Sequence, residues 1–258
     1  MPRTGFVNYH LHTSQRQAYR IDADGVSGSL MSPEHVPTEV VLRDQRANPT
    51  GTSFTHDGIG FMLAPTAIEV TQEGWQDAYE AELIALLTRT LEVDAVRVFD
   101  HTLRVDDAAA LRRPARNVHA DYSPQGARAR LETLLGPDDA AAWDAGHYAF
   151  VNVWRPVSDI VLTAPLGFVR PRTVRPEDWL TLDLVYPDRI GQIMGLVGNP
   201  EHEWLYRSEM TCDEVVMFNI HDNRGRPPVA HSAVDLIESP PGVVRKSIES
   251  RTLIRYRV

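Results

Sequence analysis

The second half of the chain is a succession of short apolar segments cut by proline and glycine. No other feature constrains the fold as much. Residues 148–154 alternate as a strand should, and Pro156 stops them. Further strand-like segments fall at residues 180–186, 191–196, 203–207, 214–220 and 246–256. Breakers fill the gaps: Pro165, Pro171, Pro187, Gly198-Asn199-Pro200, Gly225 and Pro240-Pro241-Gly242. Strands this short are stable when a closed or sandwiched antiparallel barrel removes their open edges.

The first half is mixed. Residues 1–60 read as irregular, apart from a short strand at Val40-Val41-Leu42. The spacing predicts a helix over 71–92, with Thr71 as N-cap and Trp75, Tyr79, Leu83, Leu86, Leu87 and Leu91 on one face. Residues 94–105 read as a strand. Residues 124–145 read as helix, interrupted at Gly136-Pro137-Asp138. The expected fold class is mainly β with flanking helices (α+β).

Composition excludes several function classes. The net charge of −9 argues against a nucleic-acid surface, which needs concentrated positive charge. Residues 1–20 show no secretory pattern, and no apolar run reaches the roughly 20 residues that cross a bilayer. The single cysteine, Cys212, excludes an intramolecular disulfide and suits a reducing cytoplasm. It is expected as a small buried residue. The expected partner is a small molecule, with no role for nucleic acid or membrane.

His119-Ala120-Asp121 carries the chemistry. A strand alternates faces, so a His-x-Asp step puts both side chains on one side. His231, far downstream, completes two imidazoles and one carboxylate. Such a set holds Fe(II) on one face and leaves the other open. After His231 comes a turn-rich connection and then a strand on which Arg245, Ser247, Glu249 and Arg251 share a face. A buried face of that kind can grip a carboxylate. The competing reading is a solvated basic edge strand, because Arg255 and Arg257 continue the charge. Two other pairs carry less. His10-Leu11-His12 lies in the irregular N-terminal stretch, and His221-Asp222 sits beside a turn signal.

Three separated motifs then resemble a known family: Asn117-Val118-His119-Ala120-Asp121-Tyr122, Asn152-Val153-Trp154-Arg155-Pro156 and Arg245-x-Ser247-Ile248-Glu249-x-Arg251. Together they are similar to the cephamycin 7α-hydroxylase and gibberellin-desaturase-like oxygenases, and to fungal enzymes that build aziridines. The likeness runs from Arg43-Asp44-Gln45-Arg46 through Gly58-Ile59-Gly60-Phe61 and Phe99-Asp100-His101-Thr102-Leu103-Arg104. It continues past Trp204-x-Tyr206 and Asp213-Glu214 to the C-terminus. It implies a double-stranded β-helix (jelly-roll, cupin-like) core and oxidation of a small molecule with Fe(II), 2-oxoglutarate and O2.

Carried over by position, the resemblance makes His119, Asp121 and His231 the metal ligands. Arg245 and Ser247 become first choice for the distal carboxylate of 2-oxoglutarate, with Arg251 second. Trp154, Arg155 and Tyr122 are candidate substrate contacts; a core Trp and a structurally paired Arg are the alternatives. One departure stands out: Val234 occupies the place of an expected aromatic. The expected organisation is one oxygenase domain over 1–258, with an N-terminal extension to about residue 95 and the core from about 96. Two rival functions remain open at this point. One is a cupin-like metal-dependent hydrolase or isomerase without 2-oxoglutarate. The other is a non-catalytic small-molecule-binding barrel.

Overall fold

The computed structural model describes residues 3–13, 17–21, 27–32, 35–48 and 51–257. Its first strands are β1 (Arg3–His10), β2 (Gln17–Ile21), β3 (Ser27–Ser32), β4 (His35–Asp44) and β5 (Ile59–Leu63). Then come β6 (Val93–Val105), β7 (His119–Ala120), β8 (Tyr148–Pro156), β9 (Leu166–Val169), β10 (Trp179–Val185) and β11 (Ile190–Leu196). The last are β12 (Trp204–Tyr206), β13 (Glu214–Asp222), β14 (His231–Ala233), β15 (Asp235–Leu236) and β16 (Lys246–Tyr256). The α-helices are α1 (Phe54–Asp57), α2 (Gln76–Thr90), α3 (Pro124–Leu135) and α4 (Pro137–Ala145).

The strands form two sheets. The larger runs β15-β1-β4-β12-β9-β14-β7-β11-β10-β2-β3, and the smaller runs β5-β13-β8-β16-β6. The smaller sheet is antiparallel throughout. Between the sheets lies a core built from Phe150, Trp154, Phe168, Leu205, Phe218 and Leu253 among others. The outer face of the small sheet is covered by α2, whose Tyr79, Leu83, Leu86 and Leu87 pack on Val151, Val153, Val215 and Met217. This explains β8. Every residue of it is buried, because alternate side chains enter two different cores.

The N-terminal stretch is where the structure departs most from the sequence reading. The described residues up to 60 are not irregular: β1 and β4 lie inside the large sheet, and β5 pairs with β13 in the small one. The expected extension up to residue 95 therefore supplies strands to both sheets. The signal was weak because β1 buries few apolar side chains, Val7 and Tyr9, beside exposed Phe6 and half-buried Asn8. Pro37 in β4 is tolerated because β4 pairs there with β1 alone; its second neighbour, β12, joins only at Leu42–Asp44. Helix α2 starts at Gln76 rather than at Thr71. Gly74, at φ +76°, turns the chain first, so Thr71 sits in a turn and caps nothing. Gly136-Pro137 splits the predicted 124–145 helix into α3 and α4, with Ser123 capping α3. Cys212 is half-buried and free.

Candidate metal centre and adjoining pocket

Strand β7 is two residues long and sits between β14 and β11, with His119 directly opposite His231 on one side and Gly195 on the other. The sheet pairing therefore closes the long sequence gap between the two histidines. Their ring centroids lie 4.5 Å apart. Each imidazole is oriented by its own backbone. Nδ1 of His119 donates to the Asn117 carbonyl at 2.8 Å, and Nδ1 of His231 donates to the Val229 carbonyl at 3.1 Å. A carbonyl only accepts, so Nδ1 carries the proton and the Nε2 lone pair is free to ligate. Asp121 Oδ1 lies 3.4 Å from His119 Nε2 and 3.8 Å from His231 Nε2. The three donor atoms fall within 4.8 Å of one another, a grouping found once among the described residues.

Electrostatics suit a cation here. Burial, reinforced by His119, pushes His231 down to about 3, so its ring is neutral. Burial pulls the Asp121 carboxyl up, but Arg251 and the two imidazoles outweigh it and hold the group well below the usual carboxylate range. Two imidazoles and one ionised carboxylate fit a divalent first-row metal with open positions.

A pocket adjoins the centre, lined by Arg104, His119, Trp154, His231, Arg245 and Glu249 among others. Arg245 is buried, donates through Nη1 to the Ala164 carbonyl and lies 5.3 Å from the Trp154 ring centroid. Its Nε, the Trp154 Nε1 and the buried Ser247 Oγ have no hydrogen-bond partner. Ser247 shares a strand face with Glu249. Burial lowers the Arg245 guanidinium to about 9. Strand β16 is paired on both sides, by β8 and β6, which removes the solvated-edge reading of its arginines. Arg255, nearer the end, is part-exposed and paired with Asp94.

Other sequence candidates sit elsewhere. Arg251 is spent on protein groups: it donates to Asp121, Asp100, Thr102 and Glu249. All three of its guanidinium nitrogens face protein acceptors, and it is not among the pocket-lining residues. Arg155 also lies away from the pocket. It neighbours Trp154 on a strand and so points to the opposite face, where it donates to the Ala64 and Cys212 carbonyls beneath α2. Tyr122 packs on Phe150 at 5.1 Å and does not line the pocket. His10 is buried against His35 at 4.9 Å, outside the metal grouping. His221 packs near Tyr148 and Phe150. Val234 turns away from the pocket, and its methyl carbons fill the space where Gly5 and Gly167 would carry Cβ atoms, 2.6 Å away in each case. The missing aromatic thus reflects packing behind the sheet, not pocket size. Sequence reasoning gave no role to Arg104, Asn152 or Glu249. The available signal was register: Arg104 stands opposite Ser247, and Asn152 opposite Arg251.

A family described as oxidoreductase/YMDC permease-like domain matches residues 7–255. The chain belongs to this family. Among curated proteins it is similar to the hydroxylase/desaturase efuI of Hormonema carpetanum, 29% identical over 247 residues, covering 83% of this chain and 82% of that protein. It is also 29% identical over 220 residues to the Fe(II)/2-oxoglutarate-dependent dioxygenase nvfI of Aspergillus novofumigatus, covering 80% and 77%. Among solved structures, the iron and alpha-ketoglutarate-dependent endoperoxidase NvfI superposes with a TM-score of 0.87 at 23% identity, covering 99% of this chain and 98% of that one. The fold is the jelly roll of that structure.

Proposed function

We propose that this chain is an Fe(II)- and 2-oxoglutarate-dependent oxygenase that oxidises a small molecule of the kind handled in secondary metabolism, by hydroxylation, desaturation or oxidative ring closure. The observation that carries the reading is the convergence of His119, Asp121 and His231 beside a buried pocket with an arginine at its wall. When bound, iron and 2-oxoglutarate use O2 to break an unactivated C–H bond, with succinate and carbon dioxide as by-products.

The protein's own residues position and shield. His119, Asp121 and His231 hold the metal. Arg245 pairs with the distal carboxylate of 2-oxoglutarate, and Ser247 Oγ and Trp154 Nε1 are unpaired donors on the same side of the core. Trp154 and Leu166 supply apolar wall that keeps water from the reacting centre. We read residues 1–258 as a single domain working in the cytoplasm. No helix among the described residues is long and apolar enough to cross a membrane.

The test is an anaerobic titration of metal-free protein with Fe(II) and then 2-oxoglutarate, watching for the weak visible charge-transfer band of a chelated 2-oxo acid. The expected result is a band that His231→Ala abolishes. Iron binding without the band would favour a cupin-like hydrolase or isomerase. Binding of neither would make the His/Asp/His grouping structural.

A further inference from the structure

We infer that Asn152 and Arg251 are positioning residues that restrict Asp121 to ligation through a single oxygen, Oδ1. The inference rests on the iron site proposed above. A carboxylate can meet a metal through one oxygen or chelate it through both. Here the two oxygens of Asp121 have different surroundings. Oδ1 faces the Nε2 atoms of His119 and His231 at 3.4 and 3.8 Å. Oδ2 accepts one hydrogen bond from Asn152 Nδ2 at 2.9 Å and another from Arg251 Nε at 3.1 Å. An ionised carboxylate oxygen has two good acceptor directions, and both are taken.

The two donors arrive together for a reason of register. Arg251 on β16 stands directly opposite Asn152 on β8, so their side chains leave the small sheet side by side and cross to the carboxylate beside β7. Arg251 cannot easily swing away. Its Nη1 donates to Asp100 and to Thr102 Oγ1, and its Nη2 donates to Glu249 Oε1 at 2.7 Å. Asp100 is its register partner on the other flank, on β6. Asn152 is buried in β8 and equally confined.

The consequence is a count of donor atoms. Three protein donors leave three positions on a six-coordinate metal, two for a chelating 2-oxo acid and one for oxygen. A chelating Asp121 would take one of these. The pair therefore keeps the metal open while holding the carboxylate still, which is the way outer partners tune a ligand.

The test uses Co(II) as a spectroscopic probe and 2-oxoglutarate as the competing chelator, with folding of each variant followed by circular dichroism. Asn152→Ala is the principal variant, since it removes a donor without changing charge. Asn152→Ser serves if the alanine does not fold. Arg251→Lys keeps the charge but not the planar fork. The expected result is Co(II) binding weakened about 10–100-fold, a visible d–d spectrum altered from the wild type, and 2-oxoglutarate binding weakened further, with Arg251→Lys only partly restoring it relative to Arg251→Ala. If folded Asn152 and Arg251 variants bind Co(II) and 2-oxoglutarate as the wild type does, with an unchanged spectrum, the positioning role is wrong and the metal site stands. If the wild type binds neither Co(II) nor Fe(II), the metal reading itself falls, and this inference with it.

Discussion

The two ends of the pocket are built on opposite principles. Around Asp121 the polar groups are saturated. Oδ2 has two donors, Arg251 has four acceptors and each ligand histidine has a carbonyl on Nδ1. Around Arg245 the donors are left over: Arg245 Nε, Trp154 Nε1 and Ser247 Oγ are buried without partners. Unpaired buried donors are costly, and a fold keeps them where a ligand will pair them. On the function proposed above, the saturated end holds a cation with its lone pairs, and the unsaturated end holds an anion with its N–H and O–H groups.

The contrast can be broken most severely at its saturated end. His231→Ala removes one of three donors and is expected to abolish turnover and to weaken Fe(II) by more than the roughly 10–100-fold that loss of an outer partner costs, read by anaerobic titration; near wild-type affinity would end the metal assignment. At the other end, Arg245→Leu is expected to weaken 2-oxoglutarate at least about 30-fold, since truncating one partner of a buried charge pair costs about 2–5 kcal/mol. Fe(II) affinity should stay within a few-fold. Equal loss of both ligands would show that the two ends are not separable.

A pH experiment sharpens the comparison next. Burial with His119 holds His231 at about 3, and burial with His35 and His119 holds His10 there too. Between that value and the ordinary 6.5 the unfolded chain binds protons that the folded chain refuses. Stability of the metal-free protein is therefore full above about pH 6.5 and falls as pH drops toward 3, by a few kcal/mol. Urea midpoints from pH 7 to 4 measure this, and His10→Asn should flatten the slope. A flat wild-type profile would mean that these rings are not held neutral. The smallest effect is expected from Trp154→Phe, which keeps an aromatic ring but removes Nε1–H together with the fused five-membered ring. A net hydrogen bond of about 1 kcal/mol predicts 2-oxoglutarate binding roughly fivefold weaker.

Much of the fold could be read from residue order. Strand β16 begins and ends where the pattern of residues 246–256 predicted, and the apolar stripe read from the spacing of Tyr79, Leu83, Leu86 and Leu87 is the face that α2 buries. These are local signals, period two and period 3.6, strengthened by long runs. Strand β1 was missed, and β4 was reduced to Val40-Val41-Leu42, because both are short in apolar signal and depend on each other for their hydrogen bonds. Arg155 shows the same limit at the site. Alternation says that it opposes Trp154, yet nothing local says which of the two faces meets the pocket, since β8 is buried on both.

Residue order alone was enough for chemistry of kind: a His-x-Asp step with a distant histidine, an arginine-bearing strand and a β-rich frame to hold them. It could not assign roles among like residues. Arg245, just before β16, and Arg251 within it look equivalent in sequence, but pairing across strands sets Arg251 among Asp100, Asn152 and Asp121, while Arg245 lies beside Trp154. Side-chain type and spacing are written in the chain, whereas partners from strands a hundred residues away come only from register, and register is settled when whole sheets close.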